Sequence, residues 1–294
     1  MSILILNFPD LTIDNSIVYT AYRAAHDAGR VIMNVYRKDF KTELKADGSP
    51  LTLADRLANE IIINALSKFS IPIISEEKPL PGYSERKSWE YFWLVDPLDG
   101  TKEFVNRNDE FTVNIALIHN LKPVLGIVTA PALNFGYLGI QNTGAFKIPD
   151  LRKAETLSEI NFSNPDKYLP KLIPEVPDKK RILVASRSHN DRGNTEIIEK
   201  LFGNQHNLET IHAGSALKFG LVSEGKAHFY LRNDHIWEWD TAAGHALLLA
   251  AGGDLFTWPD GSDLRYNKKT LKNPGFVACA SKDVSELLKA KLSL

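Results

Sequence analysis

The segment Trp93–Phe104, WLVDPLDGTKEF, drives an apolar run into two carboxylates. Asp96 and Asp99 flank Pro97-Leu98, and Gly100-Thr101 follow at once. Hard divalent cations such as Mg²⁺ take oxygen ligands, commonly one or two carboxylates completed by water and a substrate phosphate. A tight turn can aim both aspartates and the Leu98 carbonyl at one point. Gly100 lets a ligand approach the backbone closely. A helix starting there, TKEFVNR, would offer free N–H groups to a phosphate. A plainer reading ends a strand at Asp96 and caps a helix with Asp99. These residues alone admit both.

Further acidic positions repeat the pattern. The run PIISEE (Pro72–Glu77) is a short apolar strand that ends in Glu76 and Glu77, which a solvated loop would also explain. Asp240 opens the apolar helix DTAAGHALLLAAGG, where an N-cap role is sufficient. Such a cap can still ligate a metal through its second oxygen. Thr52-x-x-Asp55 fits a capping box. Taken together, four acidic sites lie at the edges of apolar elements. Two-metal phosphoryl chemistry needs such a cluster, with cations about 3.5–4 Å apart. It also needs a group that orients the attacking water. A threonine hydroxyl backed by a carboxylate can do that, and Thr101 and Asp55 are the candidates.

The elements that must hold these residues follow from periodicity. Asn15–Tyr36 reads as an amphipathic helix, and a second helix runs from Leu53 to about Phe69. The runs Tyr91–Val95, Phe111–His119, Val124–Ala130 and Phe135–Gln141 read as strands of a largely antiparallel meander. The segment Pro149–Lys180, with further prolines at 165, 170, 174 and 177, marks a join between halves. Beyond it strands and helices alternate. RILVASRS, LETIHAG and AHFYLR are strands; NTEIIEKLF and SALKFGLVSEG are helices, with the Asp240 helix after them. The expected organisation is an α+β half over 1–150 carrying most acidic sites and an α/β half over 151–294 carrying Asp240.

Composition narrows the class. Of 294 residues, 44% are hydrophobic and 24% charged, which fits a globular chain rather than a disordered one. Lys+Arg total 35 against 36 Asp+Glu, so a nucleic acid polymer is not an expected partner. A small anion needs only a local basic pocket. The single cysteine, Cys279, excludes an internal disulfide and agrees with a reducing compartment. No stretch approaches the ~20 apolar residues of a membrane span. The expectation is a cytoplasmic protein, with peripheral attachment to the cytoplasmic face of the inner membrane left open.

SEE, WLVDPLDGTKEF and WDTAAGH resemble the lithium-sensitive, Mg²⁺-dependent inositol monophosphatase-like superfamily. KADGSPLTLAD, NDEFTVNIALI, SRSH, GSALKF, YLR and NPGF extend the likeness from about Lys45 to Phe276. SRSH and GSALKF point to its 3'(2'),5'-bisphosphate nucleotidase branch. The resemblance implies a layered αβαβα sandwich, of α/β (α+β) class. It implies two or three Mg²⁺ ions as cofactors. Glu76, Asp96 and the Leu98 carbonyl would hold the first, and Asp96, Asp99 and Asp240 a second. Glu76 would reach a third through water.

The resemblance also implies roles for other residues. Thr101 with Asp55 would activate water, and the Gly100 and Thr101 N–H groups would contact the scissile phosphate. Ser186 and His189 would lie near the adenine or ribose. Gly214, Ser215, Lys218 and Arg232 would bind the phosphate that is not cleaved. Ser215 after Gly214 also reads, on its own, as an anion site at a helix start, whereas Lys218 and Arg232, without the resemblance, read as solvated charges.

The implied reaction converts 3'-phosphoadenosine 5'-phosphate to AMP and phosphate, recycling a by-product of sulfate assimilation. The implied partner is thus a small adenosine bisphosphate; the oligomeric state is not implied. Inositol monophosphatase or fructose-1,6-bisphosphatase activity would use the same metals. A non-catalytic nucleotide or metal sensor is the alternative of another class. One departure is NDHIWEWD (Asn233–Asp240), which carries two tryptophans and an added acid, Glu238, where relatives have a Gly- and Pro-containing loop.

Overall fold

Buried alanines set the first layer. In α1 (Asn15–Tyr36), Ile17, Val18, Ala21, Ala24, Ala25, Ala28 and Ile32 are buried along one face, as the 3.6-residue period predicts. The computed structural model describes residues 13, 15–38, 42–44, 50–153, 171–172, 181–187, 194–203 and 208–292. Most of the expected join over 149–180 lies outside these residues, as does His189.

A hairpin of β1 (Thr42–Leu44) and β2 (Pro50–Thr52) leads into α2 (Leu53–Leu66). The capping box forms: Ala54 N donates to the Thr52 hydroxyl at 3.1 Å, and Thr52 N donates to the Asp55 carboxylate at 2.7 Å. The helix does not continue to Phe69. Ser67–Phe69 tighten into a 3₁₀ turn closed by Ser70 at φ 55°.

The first sheet then forms from β3 (Ile73–Ser75), β4 (Tyr91–Asp99), β5 (Thr112–His119), β6 (Lys122–Ala130), β7 (Phe135–Ile140) and β8 (Gly144–Ile148), in that order. Two short helices, α3 (Tyr83–Arg86) and α4 (Thr101–Val105), flank β4 in the chain. The strands from β4 onward make the expected antiparallel meander, and β3 pairs parallel to β4.

The second sheet has the order β10-β9-β11-β15-β13. Its elements are β9 (Arg181–Ser186), α5 (Asn194–Phe202), β10 (Leu208–Ala213), α6 (Leu217–Ser223) and β11 (Phe229–Arg232). They continue through β12 (Ile236–Trp237), α7 (Glu238–Ala250), β13 (Asp254–Thr257), β14 (Lys272–Asn273), β15 (Phe276–Cys279) and α8 (Lys282–Leu292). The strands that alternate with helices are parallel, and the C-terminal pair is antiparallel.

These elements stack as α1/α2, first sheet, α6/α7, second sheet and α5/α8. The layering is the αβαβα sandwich. Its middle layer is the most buried, because α7 has apolar neighbours on all sides: ten of its residues, from Glu238 to Leu248, are buried. Gly126 allows that approach. A Cβ there would lie 2.2 Å from the Ala243 carbonyl oxygen. The positioning consequence is that the N-terminus of α7 is held beside the end of β4.

Candidate active site

The carboxyl end of β4 carries the acids. The strand was expected to stop near Val95 but runs on to Asp99, because a bulge absorbs Pro97-Leu98. Asp96 pairs with Asn114 and Asp99 with Thr112, with a register shift between them. Proline lacks the donor a regular ladder needs, and a bulge re-aims the side chains around it. The Asp96 carboxylate accepts the Leu98 N–H at 3.0 Å and fixes the bulge. In β3, Ser75 pairs with Val95, and Glu76 N donates to the Val95 carbonyl at 3.1 Å. That register brings Glu76 beside Asp96.

Asp240 arrives from the middle layer. It is not the N-cap of its helix: α7 begins at Glu238, with Trp237 as the cap. Asp240 sits one turn in and accepts the Trp237 N–H at 2.9 Å. Asp96, Asp99 and Asp240 each present an oxygen within 4.8 Å of the others. Burial, then the charges of Glu76, Asp99 and Asp240, push the Asp96 carboxyl well above its ordinary range. Burial, followed by Asp99 and Glu76, does the same to Asp240. Asp99 is raised less simply: burial dominates, while Lys218 and hydrogen bonds from Asn114 and Ala216 oppose it. Crowded, buried carboxylates that raise one another's pKa are what a hard divalent cation relieves. The donor set therefore fits such an ion.

Asp99 does not cap α4. Its Oδ2 accepts from Thr112 Oγ1 at 3.3 Å, Asn114 Nδ2 at 3.1 Å and Ala216 N at 2.7 Å. The cap of α4 is Gly100, at φ 86°, where a Cβ would lie 2.0 Å from Ser215 Oγ. Thr101 follows, its hydroxyl 3.4 Å from Asp55 Oδ1 and 3.3 Å from the Leu98 carbonyl. Asp55 is 1% exposed, and its Oδ2 accepts from both Thr52 N and Thr52 Oγ1 at 2.7 Å. The capping box thus orients the carboxylate that faces Thr101.

A pocket of about 190 Å³ opens beside the acids, lined by Asp99, Gly100, Thr101, Ser186, Ser215, Lys218, Arg232 and Asp240. Lys102, Glu103, Phe219, Tyr230 and Ile236 complete its wall. Lys218 is not a solvated charge. It is 4% exposed, and its Nζ donates to the Ser215 carbonyl at 2.7 Å and lies 5.3 Å from the Tyr230 ring centre. Burial works against the Arg232 guanidinium, but Tyr230 and the nearby Asp240 and Asp234 outweigh it and raise its pKa.

Ser215 lies before α6, which starts at Leu217, rather than at a helix N-terminus. It adopts φ 49°, and its hydroxyl faces the carbonyls of Asp99 at 3.0 Å and Glu110 at 2.7 Å. Trp237 and Trp239 stack on each other at 4.8 Å rather than lining the pocket, and Lys272 sits over Trp237. Glu110 was missed by sequence reasoning. Its carboxylate and carbonyl meet Arg187, Gly214 and Ser215, 77 to 105 positions away, which no local pattern encodes.

A family model described as the inositol monophosphatase family matches residues 14–293. The chain belongs to the inositol monophosphatase family. It is similar to the 3'(2'),5'-bisphosphate nucleotidase CysQ of Escherichia coli strain K12, at 41% identity over 257 residues, covering 86% of this chain and 95% of that one. The CysQ of Haemophilus influenzae is 33% identical over 272 residues, covering 91% and 94%. Among solved structures, CysQ from Bacteroides thetaiotaomicron superposes with a TM-score of 0.80 at 39% identity, covering 91% of this chain and 98% of that one. SuhB from Bartonella henselae, at 21% identity, TM-score 0.71 and 95% and 98% coverage, shares the fold. The inositol monophosphatase family is metal-dependent, and the Asp96, Asp99 and Asp240 cluster is the acidic group that fits such an ion here. Among the described residues, no helix is long and apolar enough to cross a membrane.

Proposed function

We propose that this inositol monophosphatase family member is a Mg²⁺-dependent 3'(2'),5'-bisphosphate nucleotidase, hydrolysing 3'-phosphoadenosine 5'-phosphate to AMP and phosphate. Its likeness to the CysQ nucleotidases supports the reading. The observation that carries it is the buried Lys218 in the same pocket as the aspartate cluster. A monophosphate engages the acids alone; a second cationic wall has a use when the substrate carries a second phosphate.

In this reading Glu76, Asp96 and the Leu98 carbonyl would hold one ion, and Asp96, Asp99 and Asp240 would hold another. When bound, the ions supply the positive charge that offsets charge building on the phosphate and the leaving ribose oxygen. The protein's own groups do the rest. Thr101 donates its hydroxyl proton toward Asp55 Oδ1, which leaves its lone pairs to accept a proton from the attacking water. Gly100 and Thr101 N–H groups face the reacting phosphate. Lys218 and Arg232, with Ser215 between them and the acids, face the other phosphate, and Ser186 borders the nucleoside; Gly214, expected beside them, does not line the pocket and donates its N–H to Glu110 Oε2 instead.

The deciding experiment measures phosphate release from adenosine 3',5'-bisphosphate, inositol 1-phosphate and fructose 1,6-bisphosphate side by side, with and without Mg²⁺. Preferred turnover of the bisphosphonucleotide is expected. Good turnover of inositol phosphate with none of the nucleotide would reject the substrate assignment. Nucleotide binding without turnover of any of the three would make the chain a sensor instead.

A further inference from the structure

We infer that Glu110 is a positioning residue that sets the spacing between the anion-binding wall of the pocket and the aspartate cluster. The inference rests on the bisphosphate reading above and deepens it. Glu110 stands just before β5, on the metal-bearing side. Its carboxylate reaches across to the second half of the chain. Oε2 accepts from Arg187 Nε at 2.7 Å and from Gly214 N at 2.8 Å, and Oε1 accepts from Arg187 Nη2 at 2.8 Å. Arg187 Nη2 also donates to the His212 carbonyl at 3.1 Å.

A two-pronged guanidinium–carboxylate pair fixes angle as well as distance. Both prongs come from Arg187, so the pair ties down the end of β9, where Ser186 borders the pocket. The Gly214 bond ties down the end of β10, and the consequence runs along the chain. Ser215 follows, its hydroxyl on the carbonyls of Asp99 and Glu110, and its own carbonyl holds Lys218 Nζ at 2.7 Å. The path from Glu110 to Lys218 therefore has no slack. Gly214 has no room either, since a Cβ there would lie 2.8 Å from the Glu110 carbonyl oxygen.

The pair is not a store of stability. The Arg187 side chain is 46% exposed and that of Glu110 20%, so solvent screens it. What it contributes is geometry. A substrate with two phosphates must meet both walls at once, and a small misplacement of one wall is felt as lost affinity or rate. A substrate with one phosphate uses the aspartate side and is less sensitive.

The test compares kcat/KM for adenosine 3',5'-bisphosphate and for adenosine 3'-phosphate in wild type, Glu110→Ala, Glu110→Gln, Arg187→Ala and the Glu110→Ala/Arg187→Ala pair. The bisphosphate-to-monophosphate ratio is expected to fall about tenfold in Glu110→Ala. The loss should sit mainly in KM. Glu110→Gln keeps an acceptor for Gly214 and should fall less. The double variant should fall no further than Glu110→Ala, because both substitutions break one clasp. An unchanged ratio, whether both rates drop together or neither drops, overturns the inference. If Glu110→Ala fails to fold, Glu110→Gln and Arg187→Ala carry the same comparison. A wild type inert on the bisphosphate overturns the nucleotidase reading and this inference with it. A wild type active on it with an unchanged ratio in the variants overturns this inference alone.

Discussion

Glu238 and Asp240 stand two residues apart on α7, yet their surroundings are opposite. Glu238 is fully buried, and its carboxylate accepts from Asn267 N at 2.6 Å, Lys268 N at 2.9 Å and Lys268 Nζ at 2.6 Å. The protein supplies both its donors and its counter-charge. Asp240 accepts one backbone N–H and has the Arg232 guanidinium nearby, but the larger charges it faces are acids, Asp99 and Glu76, with Asp96 beside them. A buried acid with its partners present holds the fold together. A cluster of one buried and two half-buried acids facing one another works against folding unless positive charge offsets it.

The sharpest way to break this contrast is Asp99→Asn. A loss of roughly 10³-fold in kcat is expected. The folded state measured without Mg²⁺ should not lose stability, because a repulsive charge has gone. A normal rate would reject the metal role of the cluster. Glu238→Ala is the opposite probe. It leaves Lys268 and two backbone donors without their carboxylate, and a stability loss of about 3–5 kcal/mol in urea unfolding is expected. An unchanged midpoint would show that the Glu238 contacts contribute nothing.

His245 extends the contrast to pH. It lies further along α7, fully enclosed and bonded to the Tyr266 hydroxyl at 3.0 Å, and burial pushes its pKa from 6.5 down to about 4. The folded pKa lies below the unfolded one, so the unfolded chain binds the extra proton. Stability is fully present above pH 6.5 and is lost as pH falls toward 4. The loss amounts to about 3 kcal/mol. Thermal unfolding of His245→Phe across this window should show a flatter slope than wild type; the same slope would assign the pH dependence elsewhere.

Lys218→Ala tests the far wall of the pocket and should raise KM for the bisphosphate about tenfold with a smaller change in kcat. A fall in kcat alone would place Lys218 at the reacting phosphate. The smallest effect is expected from Thr52→Ala. Losing this cap costs about 1 kcal/mol, together with a modest fall in kcat as Asp55 loses its orientation toward Thr101. A stability loss with no change in rate would separate the capping role of Asp55 from catalysis.

Much of the layering was legible because it rests on short-range patterns. α1 spans the predicted Asn15–Tyr36, and α5 spans NTEIIEKLF, since both show a clear apolar stripe. The strands of the meander were legible as apolar runs separated by turn residues. Local pattern misled where a long-range contact won. Asp240 looked like a cap, but β12 and the Trp237–Trp239 stack start α7 two residues earlier. Asp99 also looked like a cap, but its oxygen goes to Thr112, Asn114 and Ala216. Lys218 looked solvated because a charge in sequence carries no record of its burial.

The sequence by itself determined the element types and which residues could do chemistry, because hydrophobic period, turn residues and carboxylate spacing are local properties. The reaction class was legible through the resemblance carried by SEE, WLVDPLDGTKEF and WDTAAGH, since each acidic position taken alone also serves as a cap or a loop start. Only the tertiary structure decided that Asp96 and Asp99 meet Asp240 from a helix some 140 residues on. It alone decided that Lys218 is buried in the same pocket and that Glu110 clasps Arg187 and Gly214. Those arrangements depend on how five layers pack, and packing is a property of the whole chain rather than of any segment.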